Sequence, residues 1–301
     1  MDSELKLFLK SFPKKDKNTH TIIPGKAFTI PDDKLDEFYE KYHNSIFKKN
    51  CKFMMVERLQ DVCSFVIDLD IKYNESFTER QYTKETINKL CKFFFEISEE
   101  LFELKESQYQ VLLMEKPNIR SIIDDTTFKS KDGIHFMFPN IQASKKLYLK
   151  FREILLENKS GFIQIFKDTC KNIPSNSVED IFDKSIYTGN WMMYGAYKKE
   201  EVEKNVRYEL TRVINLNSGG IEDGDTEFYL EDPLTLIKLN SVSNKKKNVT
   251  YTEMAENYLN KKISNNISDE IIEQPIMNEI TINYETVKRL KDEELDLVDK
   301  Y

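Results

Sequence analysis

The chain of 301 residues has only four cysteines, Cys51, Cys63, Cys91 and Cys170, and no CxxC pair among them. A zinc ribbon or a disulfide framework therefore has little support, and reduced, mostly buried thiols are expected. No apolar run approaches the roughly 18 residues that a membrane span requires. The N-terminus MDSELKLFLKSFPKK lacks the order of charge, apolar stretch and cleavage site of a signal peptide, so a cytoplasmic protein with no membrane partner is expected. No GxxxxGK[ST] occurs, which excludes a P-loop ATPase or helicase within this chain. Net positive charge is lacking too. At a formal −7 the chain cannot hold nucleic acid through its overall field, and any such contact must be local. Local basic clusters exist at Lys14, Lys15 and Lys17, at Lys48, Lys49 and Lys52, and at Lys245, Lys246 and Lys247, although such runs are often only solvated surface.

What is present is a 40% hydrophobic, 12% aromatic chain, enough for one substantial core. The stretch to about residue 33, punctuated by Pro13, Pro24 and Pro31, is expected to be irregular, followed by an amphipathic helix over KLDEFYEKYHNSIFKKN. Strands are predicted for DVCSFVIDLDIKY, QYQVLLMEKP, GIHFMFPNI and VRYELTRVINL. Helices are predicted for TKETINKLCKFFFEISEELFEL, for SKKLYLKFREILLENK with Ser144 as N-cap, and for GFIQIFKDTCKN. Their alternation, without an internal repeat, makes the class mixed α/β (α+β). From about Leu239 the composition becomes polar and weakly periodic, which predicts residues 1–238 as the domain and 239–301 as a linker and weakly helical tail leading to a missing downstream module.

Three short segments carry chemistry. In VIDLDIKY, Asp68 and Asp70 lie two apart on a strand, so both carboxylates leave one face while Ile67, Leu69 and Ile71 fill the other. Like charges so placed call for a cation, and Mg2+ or Mn2+ favours such oxygen ligands; a strand end reaching solvent is the plain alternative. In KDGIHFMF the same period puts Lys131, Gly133, His135 and Met137 on one face, and the missing side chain at Gly133 leaves room for a phosphate or sugar near the backbone. In IFDKSIYTGNWMMYGAYK, Asp183 follows two apolar residues and is expected to be partly buried, with an N-cap as the alternative role. His20 and His43 are read as structural.

In this order, hydrophobic-DLD, KxGxH and hydrophobic-D followed by SIYTGN and GAYK resemble the three motifs of the archaeo-eukaryotic primase superfamily, over roughly Val62 to Lys198. They most resemble the primase domain of the primase-helicases of nucleocytoplasmic large DNA viruses, and the Lys- and Asn-rich composition suits such a virus, the African swine fever virus group among them. The resemblance implies a catalytic core with an RRM-like sheet and packed helices. It implies Asp68, Asp70 and Asp183 as ligands of two Mg2+ or Mn2+ ions, and His135 as a contact to the incoming nucleotide. Lys131, Gly133 and Lys198 would then face its triphosphate. Two departures stand out: Gly133 replaces a common serine, and Trp191, Met192 and Met193 stand where relatives carry an arginine, a charge that Lys198, Arg207 or Arg212 would have to supply.

The implied activity is primer synthesis on single-stranded DNA from nucleoside triphosphates in viral DNA replication, in the host cytoplasm and with a helicase module downstream. Tyr73, Tyr187, Trp191 and Tyr197 are candidates for stacking on template bases. Two rival readings use the same residues: a metal-dependent nuclease, and a non-catalytic DNA-binding scaffold that keeps the fold.

Overall fold

The computed structural model of the protein describes residues 1–122, 125–182, 189–198, 201–244 and 249–260. The N-terminal stretch, expected to be irregular, contains helix α1 (Ser3–Lys10) and a hairpin of β1 (His20–Ile23) and β2 (Ala27–Phe28). The helix has only eight residues, too few for a periodicity signal, yet Asp2 caps it by accepting from the amides of Glu4 and Leu5, and Leu5, Phe8 and Leu9 are buried. The hairpin strands are short and gain their partner from afar, because β1 pairs with β3 (Met54–Arg58). Between them lies α2 (Leu35–His43), extended by one π-helical turn over Asn44–Lys48.

The larger sheet is antiparallel. Its long members are β4 (Val62–Tyr73), β6 (Gln110–Glu115), β8 (Ser130–Ser144) and β10 (Glu209–Asn217). With β11 (Gly220–Asp223) at one edge, the order is β11-β10-β6-β8-β4, and the two-residue β7 (Arg120–Ser121) joins β8. β9 (Asn190–Met192) instead completes the smaller sheet, β2-β1-β3-β9.

Alternation decides which face of the larger sheet is buried by helices. Phe65, Ile67, Leu69 and Ile71 of β4 and Ile134, Phe136 and Phe138 of β8 are fully buried. They meet α3 (Lys84–Leu101), α4 (Lys145–Glu157) and α5 (Lys159–Thr169), with ring centroids 5.3 Å apart for Phe94 and Phe136, 5.4 Å for Phe95 and Phe138 and 4.9 Å for Phe65 and Phe151. Thr83 and Thr86 form a capping box at the start of α3, and Ser144 caps α4 as expected. The edge of β4 is covered by the chain leading to and following α6 (Val178–Ile181): Ser175 N–H donates to Lys72 O, Asn176 donates to Asp70 O, and Phe182 bridges Leu69. The mixed α/β class is thus borne out.

The boundary expected at Leu239 falls inside α8 (Pro233–Asn240), which follows α7 (Thr226–Glu231), and the compact unit runs from Met1 to Leu259. Past α8, Ser241 and Val242 are buried. Glu57 of β3 accepts from the Ser241 hydroxyl and from the Val242 amide at 3.0 Å, and its carboxylate lies 3.2 Å from the ring nitrogen of His20. Further on, β12 (Thr250–Tyr251) pairs with β5 (Phe102–Glu103), and α9 (Glu253–Asn260) buries Ala255. Polar composition hides this packing, because the segment contributes a few buried groups, each bonded to a partner far away in sequence.

Candidate functional site

The face of the larger sheet turned away from the helices is polar where β4 and β8 run side by side. Their register puts Asp68 opposite His135, Asp70 opposite Gly133 and Lys72 opposite Lys131. The strand period therefore delivers the two acids, the glycine, the imidazole and Lys131 to one surface, as the spacing predicts. His135 Nε2 lies 3.6 Å from Asp68 Oδ1, and Lys131 Nζ donates to Asp70 Oδ2 at 2.7 Å. These residues open into a cavity of about 330 Å3 between the two sheets, whose other wall is Ile23, Met54 and Val56 of the smaller sheet with Trp191 and Met192 of β9. Lys198 and Tyr208 complete its lining.

His135 is buried between two rings, with centroids 3.6 Å from Tyr208 and 4.5 Å from Trp191. Burial, reinforced by the positive charges of Lys198, Lys116 and Lys131, holds its pKa well below the ordinary imidazole value, so it is neutral at neutral pH. Burial and the nearby Asp68 and Asp70 keep the Tyr208 phenol protonated.

The space beside Gly133 is filled from within. A Cβ built there would overlap the Tyr208 hydroxyl, so the glycine makes room for a tyrosine rather than leaving a vacant cradle. Neither Tyr208 nor Lys116 stood out in the sequence. Lys116 follows β6 in phase with Met114, which pairs with His135, so the same alternation carries it to this face. Its Nζ lies 5.1 Å from the centre of the Tyr208 ring and is ion-paired with Glu201. A lysine closing an apolar strand was the available signal; Tyr208 had none, since it precedes β10 outside any motif.

Of the three cations proposed to replace the missing arginine, Lys198 lines the cavity. Arg207 lies over the rings of Phe47 and Tyr197, and Arg212 pairs with Asp223 of β11 and with Asn88. The stacking candidates Tyr73, Trp191 and Tyr197 are buried, and Trp191 spends its indole N–H on Asn240 O. Asp183 and Tyr187 lie outside the described residues, as do Lys245, Lys246 and Lys247. Lys49 is tied to Asp2 and Glu4, and Lys17 stands 3.9 Å from Asp61. His20 serves the buried Glu57 contact, while His43 stacks on Phe47.

A family model described as the C962R protein N-terminal AEP domain matches residues 19–214, well over half of the chain. The chain belongs to the archaeo-eukaryotic primase family. No curated protein matches it. The match bears out the resemblance carried by the three motifs and encloses β3, β4, β6 and β8, hence both walls of the cavity. This primase family is one of nucleotidyl transfer, and its domains generally use divalent metals. Among the described residues no group of three or more His, Cys, Asp and Glu side chains gathers around one point. The donor chemistry of the primase cavity still suits a hard cation: two half-buried carboxylates, adjacent on one strand face, are reachable from the cavity. Phe182, the residue before Asp183, bridges Leu69 between the two acids.

Proposed function

We propose that the chain is a DNA-dependent primase and polymerase domain, joining the 3′-hydroxyl of a primer to the α-phosphate of a nucleoside triphosphate on a single-stranded DNA template. One observation carries the reading: β4 and β8 pair so that Asp68 faces His135 and Asp70 meets Lys131 at the floor of an inter-sheet cavity. In this reading Asp68, Asp70 and Asp183 would hold two Mg2+ or Mn2+ ions, which would supply positive charge to the phosphate being transferred.

The remaining work is positioning. Lys131 is pre-oriented by its ion pair with Asp70 and is aimed along the same face, so a triphosphate entering the cavity gains a cation without a rotamer search. Lys198 supplies a second positive charge from the cavity's lining. His135, neutral and clamped between Tyr208 and Trp191, acts as a fixed hydrogen-bonding group. The compact unit Met1–Leu259 would form this domain, with a helicase module contributed by chain further downstream, for viral replication in the host cytoplasm.

The test is the double variant Asp68→Asn, Asp70→Asn. Primer synthesis on single-stranded DNA with nucleoside triphosphates and Mn2+ or Mg2+ should fall to background, while DNA binding on the same preparation persists. Near wild-type extension by the variant would remove the metal assignment. Labelled DNA incubated with metal but without nucleotides should stay intact; its degradation would identify a nuclease instead.

A further inference from the structure

Adjoining the cavity, and sharing Asp70, Lys131, Lys198 and Tyr208 with it, is a second pocket of only about 20 Å3, room for about one water molecule. Four cations, Lys116, Arg120, Lys131 and Lys198, and two acids, Asp70 and Asp132, line it together with Tyr208. Lys131 answers Asp70. Lys116 and Arg120 share a different anion: Lys116 Nζ is bonded to Glu201 Oε1, and Arg120 Nη1 stands 3.8 Å from the same oxygen.

Glu201 does not line this pocket but lies against two of its cations. It is 4% exposed, and its second oxygen, Oε2, is buried without a hydrogen-bond partner. A carboxylate held for structure alone normally has both oxygens satisfied, because a buried polar atom left unpaired is unfavourable. The Glu201 amide also donates to Lys198 O at 2.9 Å. One oxygen is thus given to two cations, the other to none, beside a pocket too small to admit any further anion.

We infer that Glu201 is a built-in stand-in for phosphate. It occupies the subsite at Lys116, beside Arg120, and it must withdraw before the outer phosphates of a nucleoside triphosphate, or pyrophosphate on its way out, can reach Lys116. The inference rests on the nucleotidyl-transfer reading above and adds to it a competing internal anion. Its consequence is a site that binds polyphosphate less tightly than four cations allow, and so releases pyrophosphate readily.

The experiment is calorimetric titration of the full chain with inorganic tripolyphosphate and with a nucleoside triphosphate, in Mg2+ at fixed ionic strength. Glu201→Gln, which keeps shape and removes the competing charge, should tighten tripolyphosphate binding by about tenfold, while Lys116→Gln weakens it. Pyrophosphate should inhibit Glu201→Gln at correspondingly lower concentration, a change that a merely structural glutamate would not produce. If the Gln variant does not stay folded, Glu201→Ala should show the same sign. Unchanged or weaker binding by the variants would make Glu201 a brace for Lys116 and overturn the inference. Lys131→Ala separates the two levels. If it weakens binding while Glu201→Gln fails to tighten it, only the stand-in role falls; if the wild-type chain binds neither probe, the nucleotidyl-transfer reading falls with it.

Discussion

Replacing Gly133 by alanine adds one methyl group at the centre of the site. That Cβ would overlap the Tyr208 hydroxyl, whereas the next atoms, Tyr208 Cζ at 3.5 Å and Asp70 Oδ1 at 3.9 Å, are at ordinary contact distance. The tyrosine cannot easily retreat, since its ring is stacked on His135 at 3.6 Å and bears the Lys116 ammonium at 5.1 Å. Overpacking of this kind costs typically about 1–3 kcal/mol. In a domain of this size, 2 kcal/mol corresponds to a drop of about 4–8 °C in melting temperature. The explanation assigns the whole clash to one oxygen, so it predicts a rescue. In a Tyr208→Phe background the same Gly133→Ala change should be nearly free, with a coupling of about 1 kcal/mol or more in the double-mutant cycle followed by circular dichroism. An equal loss in both backgrounds would show that Gly133 is required for some other reason, such as its backbone, and would refute the reasoning. Gly133→Ser should fail in the same way as alanine, since its Cβ meets the same hydroxyl.

Other consequences are open to direct measurement. Glu57→Ala leaves His20, Ser241 and the Val242 amide without their shared acceptor and should lower unfolding free energy by about 3–5 kcal/mol in urea, with faster hydrogen exchange at Val242. A chain ended at Lys238 should melt earlier and less cooperatively than one ended at Asn260, because the first lacks the buried Ser241 and Val242; equal melting would show that residues 239–260 contribute nothing to the core. In the native protein at pH 8, a thiol reagent should label the half-buried Cys51 and Cys170 and spare Cys63 and Cys91, whose thiols burial pushes up to about 12. Unfolded thiols ionise near 9 while these two hold their protons, so the folded state binds more protons between about pH 9 and 12 and stability should fall as pH rises through that window. A rise in stability there would contradict their burial.

The sequence by itself determined the parts governed by local periodicity. Helix α3 and strands β4 and β8 were legible because each is long enough for its apolar pattern to repeat, and a strict period of two leaves no choice about which face Asp68, Asp70, Lys131, Gly133 and His135 share. Motif order then sufficed for the family. Only the tertiary structure decided what surrounds those residues. That Tyr208 fills the space at Gly133, that Lys116 and Glu201 stand behind it, that Trp191 is buried against His135 and that the polar Ser241–Val242 segment plugs into Glu57 all depend on contacts between residues tens to nearly two hundred positions apart. No local pattern encodes such partners. A side chain's role here follows from the desolvation and charge of whatever the fold packs against it, and that becomes definite only when the two sheets close on one another.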